Sequence, residues 1–292
     1  MSEVAPRLMP LFEITAGDWT VRAIDGGAIA LDGGAMFGSV PRPMWERLIP
    51  PDGRHRIPLA LRLLLLENER LGRRVLVDGG VGDKEDEAFR DRFGVDGAPL
   101  VQRLAAGGVE AESITDVIVT HLHFDHAGGL TRLAEDGSAV AVLPGARHHL
   151  QVSNRDNGLS PSVRERASYL RENIEPLLDG LLELSDGDGE LFPGVRVERC
   201  DGHTVGMQTI RIEGGGVVVR YLADLAPTHH HLRIPFTMGY DICATTVMEE
   251  KQRMLDATVE EDAILVFEHD IQVVAARLVE EKGRWVPRPL EP

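Results

Sequence analysis

The sequence predicts a layered α/β fold, with β-sheets lying between helices in a single domain of 292 residues. Apolar segments of strand length alternate along the chain with segments whose apolar residues recur at helical spacing. No change in composition marks a linker, and no internal repeat is evident. Several polar residues typical of functional sites come directly after predicted strands, where open α/β folds place their chemistry.

Strands are predicted wherever β-branched, aromatic or near-continuous apolar runs are bounded by turn residues. The segments 59–66 and 74–77 are expected to pair with each other and to end at Asp78. The segment 114–120 is expected to be a buried strand that delivers His121 at its end. The other predicted strands are 12–16, 19–24, 139–143, 195–197, 209–212, 217–222 and 263–267.

Helices are predicted where apolar residues recur every three or four positions, at 99–106, 163–178, 247–259 and 271–281. The first of these is closed by Gly107 and Gly108, a usual helix ending. The glycine-rich segment 32–38 is expected to be a loop. It lacks the Gly-Lys-Ser/Thr ending of a phosphate-binding loop, so it does not indicate a nucleotide site.

Composition excludes several classes of partner. The formal net charge is −16, and no Lys/Arg run exceeds the pair Arg73-Arg74, so nucleic acid is not an expected ligand. No apolar run approaches the roughly 18 residues that span a bilayer, and the first residues lack a secretory pattern. Cys200 and Cys243 cannot build a disulfide framework. We expect a cytoplasmic protein without a membrane partner.

The most informative segment is 121–126, which reads His-Leu-His-Phe-Asp-His and follows an apolar run. Imidazole nitrogen and carboxylate oxygen are the ligands that zinc and related divalent ions accept. Crowding four such groups is costly unless a cation compensates them. The segment therefore predicts a metal site. By contrast, His148-His149 has no carboxylate nearby in sequence, and we expect both to be surface residues.

Five elements in order resemble the metallo-β-lactamase superfamily: Asp78-Gly79-Gly80, the 121–126 segment, Gly202-His203-Thr204-Val205-Gly206, Asp224, and His269 in Phe267-Glu268-His269-Asp270. The resemblance implies an αββα sandwich of two mixed sheets flanked by helices. It also implies two divalent metal ions in one cleft. Zinc is the expected metal, with iron, cobalt, manganese or nickel as alternatives.

The resemblance assigns a role to each matching residue. The first ion would be bound by His121, His123 and His203, and the second by Asp125, His126 and His269, with Asp224 bridging both. Two ions about 3.5–4 Å apart can share a hydroxide and polarise the oxygen of the bond under attack. Asp78 is expected to hydrogen-bond a ligand histidine.

Two further stretches resemble the group that contains quorum-quenching N-acyl-homoserine lactonases and methyl parathion hydrolase. One is the segment 31–38 with 41–45, and the other is 224–228 with His231 and 238–241. Short lactonases of the superfamily carry a tyrosine just after the bridging aspartate. Pro227 stands at that place here, and Tyr240 is a candidate to supply a phenol from another loop.

The resulting hypothesis is a dinuclear-metal lactonase. A bridging hydroxide would attack the lactone carbonyl, with Asp125 or a metal-bound water as the proton carrier to the leaving ring oxygen and Asp224 as the shared ligand. An acyl chain is expected in an apolar pocket, to which ordinary core or subunit-interface packing is the alternative. The candidate pocket residues are Met36, Phe37, His231, Leu232, Ile234 and Phe236.

Other functions remain open at this point. A phosphotriesterase or a glyoxalase II-type thioester hydrolase would use the same ligands. An iron-dependent sulfur dioxygenase would hold one redox-active iron, and a non-enzymatic binding protein would not need a complete ligand set. We expect a small-molecule lactone or ester substrate. We also expect a homodimer in which an extended N-terminal segment, residues 1–55, contributes to the interface.

Overall fold

The computed structural model describes residues 12–290. Within this range the strands, numbered in chain order, are β1 (Glu13–Ala16), β2 (Trp19–Asp32), β3 (Arg56–Asn68), β4 (Arg73–Val77), β5 (Asp116–Ile118), β6 (Thr131–Leu133), β7 (Ala139–Ala141), β8 (Arg147–Gln151), β9 (Leu182–Ser185), β10 (Gly189–Phe192), β11 (Val195–Cys200), β12 (Met207–Gly214), β13 (Val217–Tyr221), β14 (Ile264–Val266), β15 (Ala275–Glu281) and β16 (Arg284–Pro289).

The helices are mostly short. They are α1 (Gly33–Phe37), α2 (Arg42–Trp45), α3 (Glu87–Phe93), α4 (Leu100–Ala106), α5 (Phe124–Ala127), α6 (Val152–Leu159), α7 (Arg171–Ile174) and α8 (Ala244–Glu260). No helix among residues 12–290 is long and apolar enough to cross a membrane.

Two seven-stranded sheets form the body of the domain. The first runs β1-β2-β3-β4-β5-β8-β9, and the second runs β10-β11-β12-β13-β14-β15-β16. Both are mixed. Parallel pairs join β4 to β5, β5 to β8 and β8 to β9 in the first sheet, and β13 to β14 in the second. The expected α/β class with two mixed sheets is confirmed.

The largest core cluster lies between the two sheets. It joins Val21 and Leu64 of the first sheet to Val197 and Ile210 of the second, and all four are buried. On its other face the first sheet packs against α4 through Leu100 and Leu104. Because the first sheet buries apolar side chains on both faces, its strand β3 reads as an apolar run in sequence. The predicted pairing of 59–66 with 74–77 is confirmed as β3 with β4, in which Leu64 faces Val77.

Two predicted helices are wrong. The segment 163–178 is not one helix, because residues 163–168 form turns and Leu170 is extended at φ −96° and ψ 128°; only α7 and the 3-10 turn Glu175–Leu177 that follows it are helical. The segment 271–281 contains β15, which pairs with β14 and β16. In both segments tertiary contacts override a helical spacing of apolar residues. The segment 32–38, expected to be a loop, forms the short helix α1, whose N-terminus is capped by Asp32.

The expectation that His148 and His149 lie on the surface is also wrong, because both are buried in β8. His149 Nε2 lies 2.9 Å from Asp116 Oδ1, and Arg73 pairs with the other oxygen of that carboxylate. The carboxylate partner lies on the neighbouring strand β5, 33 positions away in sequence.

Candidate metal centre

The candidate ligands gather at one edge of the two sheets, beyond the carboxyl ends of four strands. Asp78 directly follows β4, and His121 lies three positions after the end of β5. Asp224 and His269 lie three positions after the ends of β13 and β14, respectively. The parallel pairing of β4 with β5, and of β13 with β14, therefore brings distant residues to one place.

Two positions at these strand ends have a left-handed backbone although they are not glycine. Asp78 has φ 59°, and Ala223, immediately before Asp224, has φ 46°. This conformation costs an L-residue roughly 1–2 kcal/mol. Such local strain is concentrated at functional sites, where the surrounding structure maintains it.

One compact group contains His121, His123, His203 and Asp224, whose candidate ligand atoms all lie within 4.8 Å of one another. His123 Nδ1 lies 3.1 Å from His121 Nε2 and 3.2 Å from His203 Nε2. Asp224 Oδ2 lies 3.1 Å from His203 Nε2. Three nitrogens and one oxygen converging in this way form a set that can hold one divalent ion.

A second compact group contains His126, Asp224, Glu268 and His269. Asp224 Oδ1 lies 3.1 Å from His269 Nε2, and Asp224 Oδ2 lies 3.5 Å from His126 Nε2. The Asp125 carboxylate is 3.9 Å from the Nε2 atoms of both histidines. The sequence predicted Asp125 at this group, but it did not predict Glu268.

Asp224 belongs to both groups, and unpartnered polar atoms lie beside it. Among the described residues, His126 Nε2 and Asp224 Oδ1 are buried without a hydrogen-bond partner. Buried polar atoms are normally satisfied, so these vacant donor and acceptor positions fit residues that bind an ion. The composition of the donor set, imidazole with carboxylate, fits a divalent transition metal.

The cluster places one buried carboxylate beside imidazoles whose pKa values are shifted in opposite directions. Burial opposes ionisation of Asp224, yet His203 and His269 hold its pKa well below the usual value. Burial also acts to lower the pKa of His203, but the Asp224 carboxylate raises it to about 10. His121 and His123 have pKa values far below normal because they are buried beside other imidazoles, so both rings are neutral.

Outer hydrogen bonds fix the ligand rings. Asp78 Oδ2 lies 3.1 Å from His126 Nδ1, and both Asp78 oxygens accept hydrogen bonds from Thr120. Asp241 Oδ1 lies 2.8 Å from His203 Nδ1, and the Ala60 carbonyl lies 2.7 Å from His269 Nδ1. The expected contact of Asp78 with a ligand histidine is confirmed. The sequence did not assign this role to Asp241.

Arg62 supports the loop that carries His269. Its side chain is buried, and its guanidinium donates hydrogen bonds to the carbonyls of Phe267 and Asp270. Burial lowers the pKa of this guanidinium. The signal in the sequence was a single arginine inside the apolar run 59–66, because a charge in such a strand needs buried partners.

A polar network ties the two histidine loops together. Asn154 accepts a hydrogen bond from Leu122 N and donates one to the Val205 carbonyl, so it joins the 121–126 loop to the 202–206 loop. The Tyr169 hydroxyl lies 2.6 Å from Thr204 Oγ1, and Thr204 donates to the buried carboxylate of Glu165. Glu165 and Tyr169 lie in the segment 163–178, which was expected to be one helix, and the sequence did not predict their contacts with Thr204.

A small cleft opens beside the two groups, with a volume of about 150 Å³. It is lined on its polar side by His123, Asp125, His203, Asp224 and His269, and on its apolar side by Leu31, Met36, Phe93, Phe124 and Met238. Tyr240 also lines the cleft and is 36% exposed. Burial raises the pKa of Tyr240 to about 12, so its phenol keeps its proton at neutral pH.

The structure divides residues of the predicted pocket between two surfaces. Met36 lines the cleft, but Leu232, Ile234 and Phe236 line a separate surface groove with Met44 and Trp285. Helix α8 contributes Gln252 and Asp256 to that groove, so these apolar residues face a different surface.

Phe37 and His231 are buried rather than part of the cleft lining. The two rings stack with a centroid separation of 5.0 Å. His231 Nε2 lies 2.9 Å from the Met36 carbonyl, which ties its loop to α1. Both residues are therefore packing residues next to the cleft, contrary to the expectation.

Comparison with known families identifies the class of protein. A family model described as the metallo-beta-lactamase superfamily matches residues 64–269, more than half of the chain. This chain therefore belongs to the metallo-β-lactamase superfamily and is a metal-dependent hydrolase. The matched range includes all seven predicted ligands.

Among curated relatives, an N-acyl homoserine lactonase from a Bacillus species is 28% identical over 234 residues, which cover 79% of this chain and 82% of the relative. The N-acyl homoserine lactonase AiiA of Bacillus thuringiensis subsp. kurstaki is 26% identical, with the same coverage.

Solved structures agree with the fold. A probable metal-dependent hydrolase from Staphylococcus aureus superposes with a TM-score of 0.85 at 28% identity, covering 96% of this chain and 100% of that chain. AidC, described as a dizinc quorum-quenching lactonase, superposes with a TM-score of 0.78 at 20% identity, covering 98% of this chain and 99% of its own. The likeness to AidC concerns the fold alone.

Proposed function

We propose that this protein is a two-metal lactonase that opens the ring of N-acyl-homoserine lactones or closely similar esters. The observation that carries the proposal is Asp224, whose carboxylate belongs to both ligand groups at the floor of a small cleft. The curated relatives named as N-acyl homoserine lactonases support the choice of substrate, with 25–28% identity. Degradation of such lactones would make the protein a quorum-quenching enzyme.

The proposed centre holds two divalent ions, with zinc as the expected metal. His121, His123 and His203 would bind one ion, Asp125, His126 and His269 the other, and Asp224 both. Bound there, the ions supply an activated water and polarisation of the carbonyl under attack. No serine or cysteine nucleophile is then needed.

The chain's own residues orient the substrate and move protons. The apolar wall of Met36, Phe93 and Met238 excludes water from one side of the cleft. Asp125, on the polar side, is placed to carry a proton to the leaving ring oxygen. The cleft volume of about 150 Å³ is below the roughly 300–1,000 Å³ of pockets for drug-sized ligands, which favours a small ring over a bulky reacting group.

Tyr240 is the proposed hydrogen-bond donor to the substrate. Its phenol lines the cleft together with Asp125 and Asp224, and it is protonated at neutral pH like any phenol, since burial raises its pKa further, to about 12. We expect Tyr240→Phe to lower kcat about a hundredfold, the low end for general acid–base catalysis, while KM changes less than about threefold. Steady-state kinetics on a lactone, with metal content measured in parallel, checks this. An unchanged kcat would remove Tyr240 from the mechanism.

The proposal is tested by offering the zinc-loaded protein three substrates. N-hexanoyl-homoserine lactone, a glutathione thioester and an aryl phosphotriester are each incubated with it, and the products are identified by mass. We expect the lactone to be opened fastest, with a product heavier by one water. If the fully zinc-loaded protein does not open the lactone but hydrolyses the thioester or the phosphotriester, the assignment of a lactone substrate is wrong.

A homodimer and a cytoplasmic location are also part of the proposal. Part of the segment 1–55, expected at the dimer interface, lies outside the described residues, which begin at Phe12. Analytical ultracentrifugation of the full chain tests the dimer, and a mass of one chain would contradict it.

A further inference from the structure

Glu268 is a buried carboxylate that the predicted ligand set does not use. It lies between β14 and β15, immediately before His269, and its exposed fraction is 1%. One of its oxygens lies within 4.8 Å of ligand atoms of His126, Asp224 and His269. It therefore sits in the metal centre itself and not in the general core.

The Glu268 carboxylate has few partners that could balance a negative charge. Its Oε1 lies 3.0 Å from His126 Nδ1, but Asp78 Oδ2 lies 3.1 Å from the same nitrogen and makes the aligned hydrogen bond. Its Oε2 is buried without a hydrogen-bond partner among the described residues. The nearby guanidinium of Arg62 donates instead to the carbonyls of Phe267 and Asp270.

A buried carboxylate in this position is costly unless a positive charge is present. An isolated buried anion is strongly destabilising, and a single imidazole shared with Asp78 offers incomplete compensation. One Glu268 oxygen lies within 4.8 Å of a candidate ligand atom of His126, of Asp224 and of His269, close enough for its charge to act on an ion bound by them. A carboxylate in this position would stabilise an ion bound beside His126 and His269.

The two ligand groups also differ in the number of carboxylates around them. The group with His121, His123 and His203 has Asp224, with Asp241 behind His203. The group with His126 and His269 has Asp224, and the Asp125 carboxylate lies 3.9 Å from both histidines. In addition, Asp78 and Glu268 both lie beside His126 Nδ1. Negative charge is concentrated on the second side.

We propose that Glu268 is a positioning residue of the metal centre that makes the His126–His269 site the tighter of the two metal sites, which therefore fills first. This inference rests on the proposed two-metal function. Together with Asp78, the Glu268 carboxylate makes His126 a stronger ligand, and its negative charge attracts the ion beside His126. Loss of such outer partners lowers metal affinity by roughly 10–100-fold.

The test isolates each site with a variant and then removes the Glu268 charge. His121→Ala leaves the His126–His269 site, and His269→Ala leaves the three-histidine site. Zinc affinity of the metal-free full-length variants is measured by competition with a chromophoric chelator. We expect His121→Ala to bind its ion more tightly than His269→Ala. Adding Glu268→Gln to His121→Ala should weaken binding by about 10–100-fold, and adding it to His269→Ala by less than about threefold.

The matched control is Glu165→Gln, which removes another buried carboxylate of the cleft region that faces Thr204 and Ser162. It should leave the affinity of the His126–His269 site within about threefold. Thermal melting of the metal-free variants reports folding separately. Equal weakening in both single-site backgrounds, or no change in either, would overturn the role of Glu268. Because zinc binding is measured without substrate, a failed lactonase assay would not affect this result.

Discussion

Asp241 provides a sharp test of how the site is held, because it touches a proposed ligand without belonging to the ligand set. Its Oδ1 lies 2.8 Å from His203 Nδ1, and its Oδ2 accepts a hydrogen bond from Met238 N at 2.7 Å. Both residues of the Asp241–His203 pair are buried. The carboxylate therefore fixes the ring of His203 so that Nε2 faces Asp224.

The perturbation is Asp241→Asn, which keeps the shape, removes the charge and leaves one acceptor oxygen for the two donors, His203 Nδ1 and Met238 N, so the loss worked out here is a lower bound. A hydrogen bond to a charged group contributes about 1.5–3 kcal/mol and a neutral one about 0.5–1.5 kcal/mol. The expected loss of about 1–1.5 kcal/mol corresponds to roughly tenfold weaker metal binding at the three-histidine site. Asp241→Ala, which also removes the hydrogen-bond acceptor of Met238 N, should weaken zinc binding by about a hundredfold.

The assay is chelator competition for zinc at neutral pH, with circular dichroism to verify folding. The matched control is Asp116→Asn, which changes another buried aspartate whose oxygen lies 2.9 Å from a histidine nitrogen, His149 Nε2, outside the cleft. The control should lose stability and keep its metal affinity. If Asp241→Asn bound zinc within about twofold of the wild type, the reasoning about His203 would be refuted.

Two further predictions concern stability. Burial lowers the pKa of His148 to about 4 from an ordinary value of 6.5. Between these two values the unfolded chain takes up a proton at His148 and the folded chain does not, so the free energy of unfolding decreases as the pH is lowered. Between pH 6.5 and 5 this costs about 1.6 kcal/mol, and denaturant unfolding of His148→Gln should show an acid-dependent loss smaller by that amount; an equal loss would contradict it. In Gly202→Ala the new Cβ would lie 2.4 Å from Val247 N, so we expect about 1–3 kcal/mol of destabilisation and less bound metal. Gly145→Ala, with no atom within 4 Å of its new Cβ, is the control, and equal melting temperatures would count against the clash.

The sequence was sufficient for the parts of the site that are local in the chain. The 121–126 segment and the residues just after β4, β13 and β14 could be found because strand ends and metal ligands both leave short motifs. The pairing of β3 with β4 followed from two apolar runs separated by a turn.

What the sequence did not predict depends on contacts between distant segments. Asp241, Glu268 and Arg62 meet the ligand histidines or their loops only after the sheets assemble, 38 to 208 positions apart in three of these contacts. The segment 163–178 has helical spacing, yet Glu165 and Tyr169 face Thr204 instead. Leu232, Ile234 and Phe236 are apolar and close in sequence to Asp224, but the chain turns them to a separate groove.

The central claim, a two-metal centre that shares one carboxylate, is tested most directly by Asp224→Ala. Bound zinc per chain and the rate of lactone ring opening are measured together for the wild type and the variant. We predict two ions per chain and ring opening for the wild type, and fewer ions with no detectable ring opening for the variant. A variant with full zinc content and the wild-type rate would contradict the account.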